Sequence, residues 1–593
     1  MGTLGLLAVL VAFPRIDRPG ESPVADAAMR GDSAAVRALL RSGADVNAAQ
    51  GDGMTALHWA ARRGDGAMTA MLLYAGADHE VTTRLGAYTP LHLAARAGRV
   101  TAARVLLEHG ANPTARTTTG GATPLHLAAE AGNAEVVRRL IDAGADPDVR
   151  DEAWDETPLM YAAAADRVDV VRTLLAMGAD VAVTARTVNI PALEARRRAE
   201  RRRRDDRLAA LRALSVEVGG EQPPAPQAEA GPRRGEPGYG GVAAPARAAG
   251  EPSRERSDRE RALTYGELVG GYGGFAALHF AARQGNTDVA LALIEAGADL
   301  NQVTAGDHTS PMLIALINGH YDLALELLAR GADPNLASDA GTTPLFAALN
   351  VQWAPKARYP QQHAYAQQRA SYLEVMQALL DAGADPNARL TKHLWYLSYN
   401  FDLLRVNTTG ATPFWRAAYA TDVAAMTLLM SYGADPTIPT IKVPSRQFGR
   451  GANGSGKEDP SGLPPVPIGG PGVYPIHAAA GVGYGEGYAA NAHRHVPGGW
   501  LPAMQYLVEE IGADVNARDL NGYTPLHHAA ARGDTTLIRY LVEHGADVTA
   551  VSRRGQTTAD MANGPVQRVQ PFPDAVALLE RLGSKNNHHC VSC

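Results

Sequence analysis

Cysteine is almost absent from this chain of 593 residues, because the only two, Cys590 and Cys593, stand at its C-terminal end. A disulfide framework and a thiol nucleophile are therefore excluded from the body of the chain, although either redox compartment remains open. Long apolar runs are also scarce. The run Leu4–Phe13 is too short to span a bilayer, but it is long enough for the apolar core of a secretory signal.

The segment around this run lacks two parts of a complete leader. No Lys or Arg precedes the run, and no clear cleavage site follows it. Residues 1–21 are thus read as a leader or as an N-terminal tail. A leader predicts a periplasmic or secreted protein and a tail a cytoplasmic one, with no stable membrane insertion beyond the possible leader.

The chain also lacks an excess of charge of either sign. Lys and Arg together number 56 and Asp and Glu 62, giving a net charge of −6. No global basic field is available to hold nucleic acid, so we expect no nucleic-acid partner. Arg outnumbers Lys by 51 to 5, a composition that is typical of a GC-rich genome and predicts a bacterial source.

A short string is repeated along the chain. Gly-Ala-Asp begins at residues 43, 76, 144, 178, 297, 331, 383, 433, 512 and 545, and Gly-Ala-Asn at 110, with a commonest interval of 33 or 34 residues. A unit of this length cannot bury its apolar face alone and must stack on its neighbours. The function is therefore expected on a stacked surface.

A second string stands about 22 residues before most of these tripeptides, as in Thr89–Ala95 (TPLHLAA) and Thr123–Ala129 (TPLHLAA). The Thr can cap a helix that begins at Pro, and the Leu and Ala residues supply a narrow apolar face. A second helix follows, as in Val136–Ile141, and ends near Gly144, which can adopt the left-handed conformation. The two strings bracket one helical hairpin.

This pattern resembles the ankyrin repeat, whose signature is T-P-L-H-x-A at a period of 33 residues. The resemblance covers about three quarters of the chain and implies an all-α repeat solenoid of about twelve helix-turn-helix units with short β-hairpin-like fingers. The units lie between Ser22 and Gly583, and the first and last are atypical, as capping repeats are. The motif departs locally at Ala276–Ala277, Met160–Tyr161 and Trp415, and also at Phe346.

Six histidines occupy the motif position: His58, His92, His126, His279, His477 and His527. The resemblance implies that they tie the turn to the helix by hydrogen bonds, so we interpret them as structural.

The period lapses over residues 186–265. The first part, Ala192–Leu214, is rich in Arg, Glu and Ala and predicts a charged, solvated helix. The second part, Gly219–Arg261, is rich in Pro and Gly and predicts disorder. We expect this insertion to separate two blocks of repeats.

Four later insertions, at 351–371, 390–408, 439–472 and 481–499, are rich in aromatic residues or glycine. Residues 350–500 are a quarter of the chain but hold four of its six Trp and ten of its twenty Tyr. Trp and Tyr are suited to binding surfaces, so this region is a candidate site for a partner. The alternative is that these aromatic residues pack together and brace the solenoid. The candidate contact residues are Trp353, Tyr359, Trp395, Tyr396, Tyr399, Trp415, Tyr484, Tyr488 and Trp500.

Metal sites and enzymatic chemistry have little support. His493 and His495 would need a third ligand, such as His363 or Glu486, to hold zinc. The tail with Cys590 and Cys593 allows a soft-metal site, a C-x-x-C redox pair or a prenylation signal, and a mobile tail is favoured over all three. The motifs of phosphate-binding loops, serine hydrolases and zinc proteases are absent, so we expect no enzyme and no cofactor.

The resulting reading is a noncatalytic scaffold, expected to be a monomer, that binds a protein partner on the concave repeat surface or on the aromatic loops of residues 350–500. The alternative function is binding of a small molecule, carbohydrate or metal in the inserted loops. The expected boundaries are 1–21 for the leader or tail, 22–185 for the first repeat block, 186–265 for the insertion, 266–583 for the second block and 584–593 for a flexible tail.

Overall fold

The computed structural model describes residues 22–218, 261–354, 364–394, 404, 406–444, 459–486, 493–564 and 570–588. In this part of the chain, twelve helical hairpins follow one another, which confirms the predicted repeat solenoid. The hairpins, numbered 1 to 12, are formed by α1 (Pro23–Arg30) and α2 (Ser33–Arg41), α3 (Ala56–Arg63) and α4 (Gly66–Tyr74), α5 (Pro90–Arg96) and α6 (Val100–Glu108), α7 (Pro124–Ala131) and α8 (Ala134–Asp142), α9 (Pro158–Ala164) and α10 (Val168–Ala176), α13 (Ala277–Gln284) and α14 (Thr287–Glu295), α15 (Pro311–Ile317) and α16 (Tyr321–Ala329), α17 (Pro344–Gln352) and α18 (Tyr372–Asp381), α19 (Pro413–Tyr419) and α20 (Val423–Ser431), α21 (Pro475–Ala480) and α22 (Trp500–Gln505), α23 (Pro525–Ala531) and α24 (Thr535–Glu543), and α25 (Thr558–Ala562) and α26 (Pro573–Arg581).

The first helix of each hairpin packs on the first helix of the next, in an unbroken series from α1 to α25. The second helices form an outer layer, as in α4, α6 and α8, with less extensive contact between neighbours. First helices are short and carry paired alanines, such as Ala60 and Ala61, both with 0% of their surface exposed. Because the first helices approach more closely, the stack curves toward them, and they line its inner face.

Each motif histidine joins its own helix to the next hairpin. His126 Nδ1 accepts a hydrogen bond from the Thr123 backbone N–H (3.1 Å), and its Nε2 donates to the Glu156 backbone carbonyl (3.0 Å). His58 and His92 make the corresponding bonds to Tyr88 and Ala122. These imidazoles are fully buried, and burial lowers the pKa of His126 to about 4. The structural role implied for the motif histidines is confirmed at these positions.

The connections between hairpins form short fingers that are joined to one another. Within a finger, the Thr83 N–H bonds to the Tyr88 carbonyl. Between fingers, the Arg84 N–H bonds to the Asp52 carbonyl, and the same contact recurs from Thr118 to Gly86. A backbone ladder therefore runs along the fingers and fixes their spacing.

The insertion after hairpin 5 does not separate the repeats, contrary to our expectation. Helices α9 and α13 pack directly on each other, and Asn286 Nδ2 donates to the Ala163 carbonyl (2.8 Å) across the junction. The insertion leaves and re-enters at one finger, where β1 (Thr187–Asn189) and β2 (Gly271–Gly273) pair antiparallel. Because both ends meet at the finger, the stack of helices continues past it.

The predicted charged helix is present as α11 (Ile190–Val218), which begins directly after β1. A short helix, α12 (Tyr265–Val269), packs against it before β2. The segment predicted to be disordered lies almost entirely outside the described residues.

The ends of the stack are capped differently from its interior. In hairpin 12, Asp560 replaces the motif histidine and accepts the Thr557 N–H (3.0 Å). Asn587 Nδ2 donates to the same carboxylate, which closes the C-terminal end (2.8 Å). Residues 1–21 and 589–593, which contain the possible leader and both cysteines, lie outside the described residues. Within those residues, we find no helix of the length and apolarity that a membrane span requires.

Candidate functional site

The inner face of hairpins 2 and 3 is an exposed surface of stacked arginine and aromatic side chains. In α3, Trp59 and Arg62 lie three residues apart and hence on one side of the helix. The Arg62 guanidinium lies 5.3 Å from the centre of the Trp59 ring. In the next hairpin, the Arg96 guanidinium lies 5.9 Å from the Tyr88 ring. Cation–π contacts hold both arginines over the groove without neutralising their charge.

The groove becomes acidic at hairpins 4 and 5. Glu130 takes the position that Arg62 and Arg96 hold in their own hairpins, and it is exposed. Glu156 lies on the next finger, where burial and the neighbouring Asp151 raise the pKa of its carboxyl group. The sign of the surface charge therefore changes along the groove.

An aromatic cleft of about 350 Å³ lies where hairpins 5 and 6 meet. Trp154 at the tip of one finger and Tyr272 in β2 stand at its mouth, with ring centres 6.0 Å apart. Both side chains are exposed, at 42% and 41%. Phe275 and Phe280 line the cleft more deeply, in an edge-to-face pair with ring centres 5.6 Å apart. Exposed Trp and Tyr beside an apolar pocket are typical of binding hot spots.

Two arginines line this cleft in different states. Arg186 is held by Asp155 in a two-pronged ion pair, with distances of 2.8 and 3.1 Å, which lowers the pKa of the carboxyl group. Arg283 lies 5.6 Å from the Phe280 ring and has no carboxylate within 4.0 Å among the described residues. Arg283 is therefore the cationic group that the cleft presents to a ligand.

A second depression, of about 530 Å³, lies beside α16 and α18 on the outer layer. Its lining is mainly charged, with Asp322, Glu326, Arg369 and Glu374, and it includes no aromatic side chain. It lacks the apolar anchor that the cleft between hairpins 5 and 6 provides.

The inner face is covered at hairpins 8 and 9. Asn350 and Tyr419 stand at the repeat position of Arg62, yet each is only 7% exposed. Arg416, at the repeat position of Trp59, is 3% exposed, and its Nε donates to Asn350 Oδ1 (2.6 Å). Burial lowers the pKa of Arg416 to about 10. The groove that is open at hairpins 2 to 6 is therefore filled here.

The covering residues come from the later insertions. Leu404 and Val406, from the insertion in a finger, reach Gly483, from the insertion between α21 and α22; a Cβ on Gly483 would lie 2.7 Å from Val406 Cγ2. On the same side, Arg494 Nη1 donates to the Tyr365 hydroxyl (3.0 Å). Segments that grow from opposite edges of the stack thus meet across its inner face.

An aromatic cluster fastens this cover to the solenoid. The His493 ring stacks on Tyr419, with ring centres 4.3 Å apart, and Tyr484 meets Trp500 edge to face. The guanidinium of Arg532 lies 3.4 Å from the Trp500 ring centre. These contacts brace the insertions against hairpins 9 to 11.

The described members of the predicted contact set point mainly inward. Trp415 was expected at the binding surface, but it is fully buried and its Nε1 donates to the Val473 carbonyl (2.9 Å), so that expectation is wrong. Trp353 is half-buried and donates to Asp422 Oδ2 (2.9 Å). Tyr484 and Trp500 belong to the cluster above. The remaining candidates, Tyr359, Trp395, Tyr396, Tyr399 and Tyr488, lie outside the described residues.

The weak metal candidates are placed as follows. The rings of His493 and His495 have centres 5.3 Å apart, but no group of three metal-ligating side chains is present among the described residues. Glu486 accepts a hydrogen bond from Asn521 Nδ2 (2.9 Å). His363 lies outside the described residues, as do Cys590 and Cys593.

Sequence reasoning missed the cleft between hairpins 5 and 6. Trp154 lies at a fingertip of an otherwise regular repeat, and Tyr272 follows an insertion of about 80 residues. A signal was available, because a Trp in the polar tip of a finger has no core to fill. The density of aromatic residues in 350–500 drew attention to residues that are mostly internal.

Hairpins stacked at a constant spacing, with an inner groove and no second core, define a solenoid repeat protein. Models of ankyrin repeats match residues 24–117, 114–185 and 278–357, and a second ankyrin model matches 506–562. Together these segments span half of the chain. The chain belongs to the ankyrin repeat family.

Known proteins match it over short segments. Ankyrin repeat domain-containing protein 49 of Bos taurus is 48% identical over 52 residues, which are 9% of this chain and 22% of that protein. Protein phosphatase 1 regulatory subunit 27 of Mus musculus is 39% identical over 72 residues, 12% of this chain and 46% of that protein. Protein phosphatase 1 regulatory subunit 12A of Rattus norvegicus is 35% identical over 89 residues, 15% of this chain and 8% of that protein.

The chain thus spans less than half the length of each of these relatives. All three come from animals, so they do not support the bacterial source predicted from composition. They also give no support to a secretory leader.

Proposed function

We propose that this chain is a noncatalytic scaffold that binds a protein partner in the inner groove of hairpins 2 to 6. The observation that carries the proposal is the contrast along the inner face. The same repeat position is an exposed Arg62 or Arg96 in the open part and a buried Asn350 or Tyr419 in the covered part. Only the open part offers aromatic and cationic side chains to a partner.

The family and the names of the relatives agree with this proposal. Ankyrin repeats imply a protein partner, and two of the relatives are named as regulatory subunits of a protein phosphatase. The alternative, a small-molecule, carbohydrate or metal site in the inserted loops, is not favoured by the described contacts. There the aromatic side chains Tyr484 and Trp500 pack on Arg532 and on each other.

The test is crosslinking capture from native cells with the full chain and with a W154A/Y272A double variant. A partner bound in the groove should be captured by the wild type and lost with the double variant. The matched control is Tyr74→Ala, because Tyr74 is 95% exposed on the outer helix α4. Capture that survives in W154A/Y272A, or that is lost equally with Tyr74→Ala, would contradict a groove-bound partner.

A further inference from the structure

The arginines of the open groove differ from those of the outer helices. On the outer layer, Arg104 pairs with Glu108 at 2.7 Å, and Arg330 pairs with Glu326 at 2.8 Å, each within its own helix. In the described part of the chain, Arg62, Arg96 and Arg283 form no such pair and lie over aromatic rings instead. The groove therefore holds three uncompensated positive charges at fixed positions.

We propose that the occupant of this groove is an extended, acidic protein segment. Its carboxylates contact Arg62 and Arg96, and a large apolar side chain enters the cleft between Trp154 and Tyr272, with a further carboxylate on Arg283. This inference rests on the proposed function and specifies the chemistry of its partner. Arginine suits this role because its planar guanidinium pairs with a carboxylate in two-pronged geometry while its face remains on a ring.

The spacing of the repeats sets the spacing of the acidic residues. Packed helices lie about 8–10 Å apart, and an extended chain advances about 3.3 Å per residue. Carboxylates on Arg62 and Arg96, which belong to adjacent hairpins, should therefore stand about three residues apart. The cleft begins at hairpin 5, two hairpins beyond Arg96, so the apolar anchor should follow about six residues later.

A nucleic acid is the competing polyanion, since it also combines phosphates with stacking bases. The acidic centre of the groove disfavours it. Glu130 is exposed between Arg96 and the cleft, and Glu156 lines the cleft itself. A continuous phosphate backbone would have to cross these carboxylates, whereas a peptide can place neutral or basic residues opposite them.

The probe is a displayed library of random 12-residue peptides, selected on the full chain. Enriched peptides are then synthesised and measured by fluorescence anisotropy on the wild type and on R62E/R96E. The matched control is R37E/R172E, which makes the same charge change at exposed arginines of the outer helices α2 and α10. A milder variant, R62Q/R96Q, covers the case in which charge reversal disturbs folding.

We expect enriched peptides to carry acidic residues three apart and a large apolar residue further along. Their affinity should fall at least tenfold on R62E/R96E, about threefold on R62Q/R96Q and less than twofold on the control. Enrichment of neutral or basic peptides that compete at the groove would overturn the acidic partner and leave the groove function standing. Acidic peptides that bind equally to R62E/R96E would also overturn it.

Two further outcomes are decisive. If no enriched peptide depends on Trp154 and Tyr272, the groove function fails and this inference fails with it. If a 12-nucleotide oligothymidylate binds more tightly than the peptides and is released by R62E/R96E, the partner is a nucleic acid and the inference is wrong.

Discussion

The clamp formed by His126 gives the sharpest quantitative prediction about the frame that holds the groove. His126 is fully buried and makes three hydrogen bonds. Its Nδ1 accepts from the backbone N–H and the hydroxyl of Thr123, and its Nε2 donates to the Glu156 carbonyl in the next finger (3.0 Å). Replacing it with Ala removes a helix cap and the tie to the finger that carries Trp154.

The cost of His126→Ala can be estimated from these contacts. The Thr123 N–H is left buried without a partner, which costs about 1–3 kcal/mol, and each other lost bond costs about 1 kcal/mol before any cavity term. We expect a local destabilisation of about 3 kcal/mol. Since 1.4 kcal/mol is a factor of ten, amide exchange in hairpins 4 and 5 should accelerate about 100-fold.

Hydrogen–deuterium exchange read by mass spectrometry on the full chain is the assay. Hairpin 5 supplies a control substitution, because Met160 holds the motif position there with its Sδ 3.5 Å from the Thr157 backbone N. His126→Met keeps volume and a weak acceptor, so it should accelerate exchange only about tenfold. His109→Ala, at an exposed helix end, should have little effect. Equal effects of His126→Ala and His126→Met would refute the clamp.

Two other predictions follow from the buried histidines and from the aromatic cluster. Burial lowers the pKa of His92 and His126 to about 4, and unfolding returns each imidazole to about 6.5. Stability should therefore be full above pH 6.5 and fall as the pH drops toward 4, by up to about 1.4 kcal/mol per pH unit for each histidine; urea midpoints that are flat from pH 7 to 5 would contradict this. Trp500→Ala removes the ring under Arg532 and should destabilise hairpins 10 and 11 by about 3 kcal/mol, while exchange in hairpins 3 and 4 stays unchanged; uniform acceleration along the chain would contradict a local brace.

The solenoid could be predicted from sequence because its determinants are local and repeated. The capping Thr, the buried His and the paired Ala recur in each regular hairpin, and each acts within its own helix or on the next one. Even a departure such as Met160 keeps the same contact with the Thr157 backbone. Repetition averages out local exceptions, so the fold survives them.

The openness of the groove could not be predicted in this way. Trp59 and Arg416 occupy the same repeat position, but one lies at the open groove and the other is buried. The difference comes from Leu404, Val406 and Gly483, which reach the inner face from insertions far apart in the chain. The pairing of β1 with β2 is equally non-local, since three-residue strands show no periodicity and are separated by about 80 residues.

The most direct test of the central claim is hydrogen–deuterium exchange of the full chain with and without its captured partner. Binding in the open groove predicts protection of the first helices and fingers of hairpins 2 to 6, within residues 50–63, 84–96, 152–161 and 271–284. The outer helices should remain unchanged. Protection confined to residues 350–510, with none in hairpins 2 to 6, would contradict the claim and return the binding site to the inserted loops.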